Sequence, residues 1–512
     1  MYLTQSLQRA VQQHPDTVAI IHADRSATFA ELADRVARLA AALQDLGVQP
    51  GDRVAIASLN SDRYHEYLYA VPWADAVLNP INIRWNPTEI AYALKDSETS
   101  VLLVDDAFAA AVPAIEAQYD GLGHVVFIGD GPLPDGLLDY EDLMASAEPV
   151  EDARRGNDQL AGIFYTGGTT GFPKGVMLTH TNLVTSAMGS MTSGVLHTTG
   201  GRVLHAAPMF HLADYAMWNA ASIAGNMHVT IPMFEPTAVL TAIEKHRITD
   251  MLLVPMMIQI VTDSPERGNF DLSSLRRVVY GGSSISAPVL ARAIKAFPEA
   301  QFTQAYGMTE VAPVATLLLP ENHVGERLKS GGRAAPHSEV RIVDTDDNEV
   351  PRGAVGEIVV RGAHVTQGYW NKPEETAAAI VDGWMHTGDG GRMDDEGYVY
   401  VVDRIKDMIV TGGENVYSTE VENAVASHDA VAAVAVVGLP DDKWGERVHA
   451  VVVLHPGAEV TAEEIREHAR NSIAGYKSPR TVDFVDALPV SGAGKILKRD
   501  LRAKYSGPGT GG

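Results

Sequence analysis

Tyr165-Thr166-Gly167-Gly168-Thr169-Thr170-Gly171-Phe172-Pro173-Lys174-Gly175 is the stretch on which the reading of this chain turns. It comes just after the apolar run Gly162 to Phe164, at the end of an expected strand. Its four glycines let backbone N–H groups approach an anion, its threonines add hydroxyl donors, and Lys174 supplies a mobile positive charge. This is the composition of a polyphosphate cradle. It is not the Walker pattern G-x-x-x-x-G-K-[ST], because Lys174 follows Pro173 and precedes Gly175, which disfavours ordinary P-loop NTPase chemistry. A flexible glycine turn is the plainer alternative, and it leaves the density of Thr, Gly and Lys unexplained.

Outward from this loop, short apolar runs ending in turn residues recur: Val54 to Ala57, Val101 to Val104, Val125 to Ile128, Gly162 to Tyr165, Met251 to Val254 and Val278 to Tyr280. Helix-period stretches such as Phe29 to Leu46 lie between several of them, so the pattern predicts an α/β protein with mostly parallel sheets covered by helices. From Ala335 to about Val402 the texture changes to alternating strands with Gly and Asp-Asn turns, a smaller β-rich subdomain. The expected domains are 1–402, including that subdomain, and a compact α+β domain of 403–512. The terminal Gly-Pro-Gly-Thr-Gly-Gly, 507–512, reads as disordered.

A chain of 512 residues suits several domains, since single cores stop growing near ~250 to 300 residues. Apolar residues at 46% and charged residues at 21% fit a globular chain with a sizeable core. Cysteine is absent, which removes disulfides, thiolate zinc sites, iron–sulfur clusters and cysteine nucleophiles, and a cytoplasmic address fits best. The start, MYLTQSLQRAVQQHPD, reads as a polar amphipathic helix, neither signal peptide nor anchor, and the longest nearly apolar run, Ala430 to Leu439, is about half the ~20 residues a spanning helix needs. The net charge of −25 argues against general nucleic-acid binding. Any anionic ligand needs a local basic site. Residues 404–512 carry 13 Lys+Arg against 15 Asp+Glu, whereas the first 403 carry 27 against 50.

The loop resembles that of the adenylate-forming superfamily: acyl- and aryl-CoA synthetases, firefly luciferases and peptide-synthetase adenylation domains, where it reads Y-T-S-G-T-T-G-x-P-K-G. The resemblance continues in order through Thr303-Gln304-Ala305-Tyr306-Gly307-Met308-Thr309-Glu310, Tyr369-Trp370-Asn371, Thr387-Gly388-Asp389, Asp403-Arg404-Ile405-Lys406-Asp407, Gly412-Gly413-Glu414-Asn415-Val416-Tyr417 and Gly492-Ala493-Gly494-Lys495. Residues 1 to 160 match mainly in texture. One departure stands out: the family usually has Ser where this chain has Gly167, which removes a hydroxyl and keeps a backbone N–H. Altered affinity for ATP or pyrophosphate is expected from it, more than lost activity.

The resemblance implies roles. A carboxylate attacking the α-phosphate of ATP needs charge neutralisation and alignment of two anions, and Lys495 resembles the late lysine that reaches both. Glu310 would hold Mg²⁺ against the phosphates, with Thr166 sharing that shell. Gly167, Gly168, Thr169, Thr170, Gly171, Lys174, Gly282, Ser283, Ala305, Tyr306, Gly307, Thr309, Asp389 and Arg404 complete the expected ATP/AMP site: Tyr306 stacks on adenine and Asp389 takes the ribose hydroxyls. Asp403 resembles the hinge about which the small domain swings between two half-reactions, and the loop Gly412-Gly413-Glu414 would line a channel for the pantetheine of coenzyme A. His211 matches a position that gates the acyl pocket or positions the carboxylate. The pocket walls are expected from 211–215, 255–258, 281–283 and 305–307, including His211, Tyr215, Gly281, Gly282, Ala305 and Gly307.

The resulting expectation is an ATP-dependent carboxylic acid:CoA ligase forming an acyl-AMP intermediate. Its partners are a small carboxylic acid and CoA, and a homodimer is left open. The runs DRIKDMIVTGGENVYSTEVENAV and VVGLPDDKWGERVHA look most like medium- to long-chain fatty acyl-CoA ligases and aryl relatives, which favours a fatty acid over an aryl acid. An amide synthetase with an amine acceptor, a standalone adenylation domain and a noncatalytic nucleotide binder are the alternatives. Retention of Lys495, Glu310, Asp389 and Arg404 together opposes the last.

Overall fold

Thr28 ends a short strand and starts a helix in one step: its hydroxyl accepts from the Glu31 N–H while the Glu31 carboxylate accepts from the Thr28 N–H, a closed capping box. The helix runs over Phe29–Asp45 and turns Leu32, Val36, Leu39, Ala40 and Leu43 into the largest core cluster. Asn86 with Glu89, Thr179 with Asn182 and Thr461 with Glu464 start the helices Pro87–Asp96, His180–Met191 and Ala462–Ser472 in the same way. All six apolar runs are strands: Arg53–Ala57, Val101–Val104, His124–Phe127, Leu160–Thr166, Asp250–Leu253 and Arg277–Gly281. The computed structural model describes residues 1–166, 173–283, 285–441, 443–490 and 496–506, with every side chain among them except that of Lys406.

The chain divides into two compact units. The first comprises Met1–Ser284, Val289–Val340 and Val360–Met385. It contains a nine-stranded and an eight-stranded sheet. In the nine-stranded sheet, Met227–Thr230, Arg202–His205, Asp250–Leu253, Arg277–Gly281 and Gln301–Tyr306 run parallel in that order. In the eight-stranded sheet, Leu160–Thr166 pairs parallel with Val77–Pro80 on one side and antiparallel with Lys174–Thr179 on the other, and Gly368–Tyr369 closes that edge. Parallel strands are covered on both faces, which is why Val101–Val104 is buried at all four positions and reads as a continuous apolar run.

The second unit comprises Ile285–Pro288, Arg341–Val359 and His386–Gly512, so the β-rich segment is shared between the two. Within it Val431–Asp441 and Gly445–Leu454 form a long antiparallel pair, flanked by Ile409–Thr411 and by Thr481–Phe484. One face packs Val434, Val436 and Val448 against Val421, Val425, Ile465 and Ala469 of two helices. The other packs Ala435, Val437 and Val451 against Leu501 and Tyr505. Ala430 to Leu439 is thus mostly strand, and among the described residues no helix is long and apolar enough to cross a membrane. The segment 507–512 lies outside the described residues.

Candidate active site

Gly167, Gly168, Thr169, Thr170 and Gly171 lie outside the described residues, but both stems of their loop are in view. Thr166 stands opposite Lys174, and Tyr165 opposite Gly175, in the antiparallel ladder. The Tyr165 hydroxyl donates to Asp96 Oδ2 at 2.7 Å, and Trp370 Nε1 donates to the Asp96 carbonyl at 2.8 Å, so one residue pins both the loop stem and the adjacent edge strand. Burial, then the Asp96 carboxylate, pushes the Tyr165 phenol up and keeps it a donor.

Lys174 extends its ammonium over the face of Tyr369, 5.0 Å from the ring centroid. The Tyr369 hydroxyl donates to Glu310 Oε1 at 2.9 Å, and the Glu310 carbonyl accepts from Thr366 N at 2.8 Å. Glu310 itself is 6% exposed, on the short turn Thr309–Val311 that follows the strand Gln301–Tyr306. Lys174 and Glu310 are therefore linked through a residue that the sequence marked only as part of a motif, while Thr166 stands on the opposite stem, paired with Lys174 in the ladder. A buried carboxylate and a hydroxyl are hard oxygen donors, and together they leave most coordination positions to phosphate oxygens and water, which fits Mg²⁺.

Gly281 faces Ala305 across two parallel strands. A Cβ at Gly281 would lie 2.2 Å from the Ala305 carbonyl oxygen, so only glycine permits this approach. Gly282 then takes φ +79°, turning the chain toward Ser283, which is exposed. Gly281, Gly282, Ser283, Ala305, Tyr306, Gly307 and Thr309 all gather at the carboxyl ends of these strands, the edge where open α/β sheets bind ligands. Beneath them Tyr280 donates to His323 Nε2 at 3.0 Å, because the Leu319 carbonyl, 2.9 Å from His323 Nδ1, can only accept.

His211 caps the helix Leu212–Ala224, its Nδ1 accepting from Ala213 N at 3.2 Å. That bond places the neutral ring's proton on Nε2, making it a donor. Tyr215, one turn on, is 1% exposed between Phe164 and Trp218, with ring centroids 5.5 and 5.2 Å away.

The same helix borders a buried group absent from the sequence reading. Ring nitrogens of His65, His205 and His228 lie within 4.8 Å of one another, spacing that could suit a metal. Donor bookkeeping argues otherwise. Asp214 accepts from His205 Nδ1 at 2.7 Å, so His205 Nε2 accepts from His228 Nδ1 at 2.9 Å, and His228 Nε2 accepts from Ser222 at 3.3 Å. Trp218 Nε1 donates to His65 Nδ1 at 2.9 Å, which puts the His65 proton on Nε2. These bonds use the lone pairs a metal would need, and the group reads as a relay that fastens the helix to the sheet.

In the second unit Asp389 is 6% exposed and receives Arg404 Nε at 2.7 Å, directly across the strand pair. Asp403 Oδ1 accepts from Arg404 N at 2.8 Å, and its other oxygen accepts from Ser418 N. Lys498 donates to the Ser418 hydroxyl and lies 2.8 Å from Glu422. Gly412 and Gly413, at φ +64° and +85°, make the two-residue turn between Thr411 and Glu414, a hairpin that requires positive φ at both positions. Gly412 N donates to the Trp444 carbonyl at 2.8 Å. The Trp444 ring lies 4.3 Å from the Arg480 guanidinium and 4.9 Å from the Lys443 ammonium, an aromatic and cationic surface beside the glycine turn. Gly492, Ala493, Gly494 and Lys495 lie outside the described residues, but Val490 bridges to Ile496 at the base of their loop.

The paired stems Thr166 and Lys174, the buried Glu310 joined to Lys174 through Tyr369, and the carboxyl ends of the parallel strands lie on a fold whose likeness to known proteins gives its class: an acid-activating, nucleotide-dependent enzyme. The chain belongs to the AMP-binding enzyme family of the adenylate-forming superfamily, matching it over residues 7–370 and its C-terminal domain over residues 420–495. It is an AMP-forming acyl-CoA ligase. It is 40% identical to a feruloyl-CoA synthase of Amycolatopsis, over 97% of this chain and 98% of that protein. It is 38% identical to a medium/long-chain fatty acid–CoA ligase of Mycobacterium tuberculosis, over 97% and 89%. Among solved structures, an amide bond synthetase from Marinactinospora thermotolerans superposes with a TM-score of 0.88 at 32% identity, covering 99% of this chain and 100% of that one. ATP-bound MatB from Rhodopseudomonas palustris gives 0.89 at 31%, covering 99% of each.

Proposed function

We propose that this ligase activates a planar aryl-substituted acid of the hydroxycinnamate class and transfers it to coenzyme A. The observation that carries the aryl reading is the 40% identity, nearly end to end, with a feruloyl-CoA synthase. Gly281, Gly282, Ala305 and Gly307, at the strand ends expected to wall the acyl pocket, bear no side chain larger than methyl, which supports a substrate as broad as an aromatic ring. A fatty acid, which the sequence favoured, is the second reading, supported by the fatty acid–CoA ligase at 38% identity.

In the first half-reaction the substrate carboxylate attacks the α-phosphorus of ATP and pyrophosphate leaves. In this reading the His211 Nε2–H donates to that carboxylate, supported by the acceptor role of its Nδ1, and Lys495 neutralises the charge shared by carboxylate and α-phosphate. Glu310 and Thr166 would hold Mg²⁺, which supplies charge neutralisation on the phosphate oxygens. Tyr306 stacks on adenine, and Asp389, oriented by Arg404, accepts the ribose hydroxyls. In the second half-reaction the CoA sulfur attacks the acyl carbon and AMP leaves. Asp403 serves as the hinge between the two steps, the Gly412-Gly413-Glu414 turn lines the pantetheine path, and the Trp444 surface with Arg480 and Lys443 offers a stacking face and two cations to a phosphorylated nucleotide. That surface supports CoA over a simple amine as acceptor. The need for ATP and CoA supports a cytoplasmic address.

The test is AMP release and thioester formation by the purified enzyme with ATP and Mg²⁺, across ferulate, cinnamate, benzoate, octanoate and palmitate, with and without CoA. Ferulate or cinnamate preferred about tenfold or more in kcat/KM supports the aryl reading; a preference of that size is the ~1.4 kcal/mol a few pocket contacts provide. Preference for octanoate or palmitate transfers the assignment to fatty acids. Adenylation that ignores CoA but yields amides with added amines overturns the acceptor.

A further inference from the structure

We infer that Tyr369 is a positioning residue that sets both charged groups meeting the ATP phosphates, orienting the Glu310 carboxylate through its hydroxyl and the Lys174 ammonium through its ring. The inference rests on the reading of Glu310 as the Mg²⁺ ligand and goes beyond it. Tyr369 is held from several sides. Its strand pairs with Lys174–Thr179, setting Tyr369 opposite Val176. Trp370 N donates to the Gly175 carbonyl at 2.8 Å, and Tyr369 N donates to Thr376 Oγ1 at 2.9 Å. A ring anchored on such a backbone has little freedom, so its hydroxyl, 2.9 Å from Glu310 Oε1, defines where that carboxylate sits. The negative π face attracts the Lys174 ammonium, 5.0 Å from the ring centroid, and holds it at the exit of the phosphate loop.

The two halves of the side chain therefore have separable duties. In the site as built, the partner of a metal-binding carboxylate typically controls affinity by about 10- to 100-fold, much as ligands depend on their outer hydrogen bonds. Tyr369→Phe keeps the ring and removes only the donor to Glu310. Tyr369→Leu removes both contacts.

Three variants, Tyr369→Phe, Tyr369→Leu and Glu310→Gln, are compared in two readouts. One is the Mg²⁺ concentration dependence of ATP–pyrophosphate exchange. The other, independent of turnover, is the rise in melting temperature produced by ATP with Mg²⁺ and by ATP with chelator. The expected result for Tyr369→Phe is an unchanged melting temperature without ligand, an unchanged shift with ATP and chelator, and a Mg²⁺ requirement raised about tenfold or more. Tyr369→Leu should in addition lose part of the shift with ATP and chelator. If Glu310→Gln raises the Mg²⁺ requirement and Tyr369→Phe does not, the positioning role is wrong while Glu310 keeps its assignment. If Glu310→Gln leaves the Mg²⁺ requirement unchanged, Glu310 is not the ligand, and the role of Tyr369 falls with it.

Discussion

The Nδ1 of His211 accepts a backbone N–H, and this one bond gives the residue a definite chemical character. Its proton sits on Nε2, so the ring offers a donor without carrying charge. Deleting a donor to a charged group typically costs about 1.5–3 kcal/mol. His211→Ala is accordingly expected to lower kcat/KM for the acid by about 10- to 100-fold with little change in the KM for ATP, measured by varying each substrate in turn. Lys495 belongs to the same scale, although its placement lies outside the described residues. Lys495→Ala should reduce adenylation by about 10² to 10³ and spare thioester formation from a supplied acyl-adenylate. Near-normal adenylation would remove Lys495 from the first step. The departure at Gly167 is a residue-scale matter too, and it is carried by a loop stem whose anchors, Tyr165 to Asp96, do not involve it.

At the level of elements, the site depends on two strands that approach more closely than side chains allow. Gly281→Ala would drive a methyl group into the Ala305 carbonyl, and the strands must separate to accept it. The expected cost is about 1–3 kcal/mol, read by chemical denaturation, with a larger loss of adenylation than of stability, since Tyr306 and Glu310 follow the displaced strand. Asp403 shows how an element changes the meaning of a test. It lies in the strand Val399–Arg404, and its carboxylate caps the start of the helix Ser418–Ala426 by accepting from Ser418 N. Asp403→Pro fixes φ and also removes this acceptor. It is expected to slow thioester formation more than adenylation, and Asp403→Ala, which removes only the carboxylate, separates the two effects. Equal rates of thioester formation in wild type and Asp403→Pro would end the hinge assignment.

For the molecule as a whole, buried histidines set a lower pH limit. Burial, with neighbouring His228 second, holds His65 well below its ordinary value, and burial with neighbouring His205 does the same to His228. Burial, then Arg155, lowers His180 to about 3, and burial, then His337, lowers His364 to about 3. In each case the folded value lies below the unfolded value of 6.5, so the unfolded chain binds the extra proton. Stability is complete above about pH 6.5 and falls as the pH drops toward the folded values, by about 1.4 kcal/mol per pH unit for each such group. Denaturation between pH 7.5 and 5 should show this decline, and His65→Gln should flatten it relative to wild type. Buried carboxyls with raised values, such as Glu66, pull the opposite way, which makes the difference between the two proteins the decisive quantity.

How much could be read beforehand follows from range along the chain. Strands buried on both faces must be apolar throughout, so Val101–Val104 and its counterparts declared themselves, and the helical period of Phe29 to Leu46 marked the helix found at Phe29–Asp45. The Gly- and Thr-rich loop, Glu310, Asp389 and Arg404 stood in short motifs, and the roles expected of them came from the likeness of those motifs to the adenylate-forming superfamily. The hydrogen bond between Tyr369 and Glu310, the relay of His65, His205 and His228, and the Trp444 surface beside Gly412 had no such signal, because each joins residues distant in sequence. A tyrosine or histidine has no partner until the sheets pair and the helices close over them. The sequence alone therefore determined the fold class, written in the local pattern of apolar runs, and, through the ordered likeness of its motifs to a known superfamily, the adenylate-forming chemistry. Only the tertiary structure decided which side chains hold the charged groups in place, since hydrogen bonds act over a few ångströms of space and are indifferent to separation along the chain.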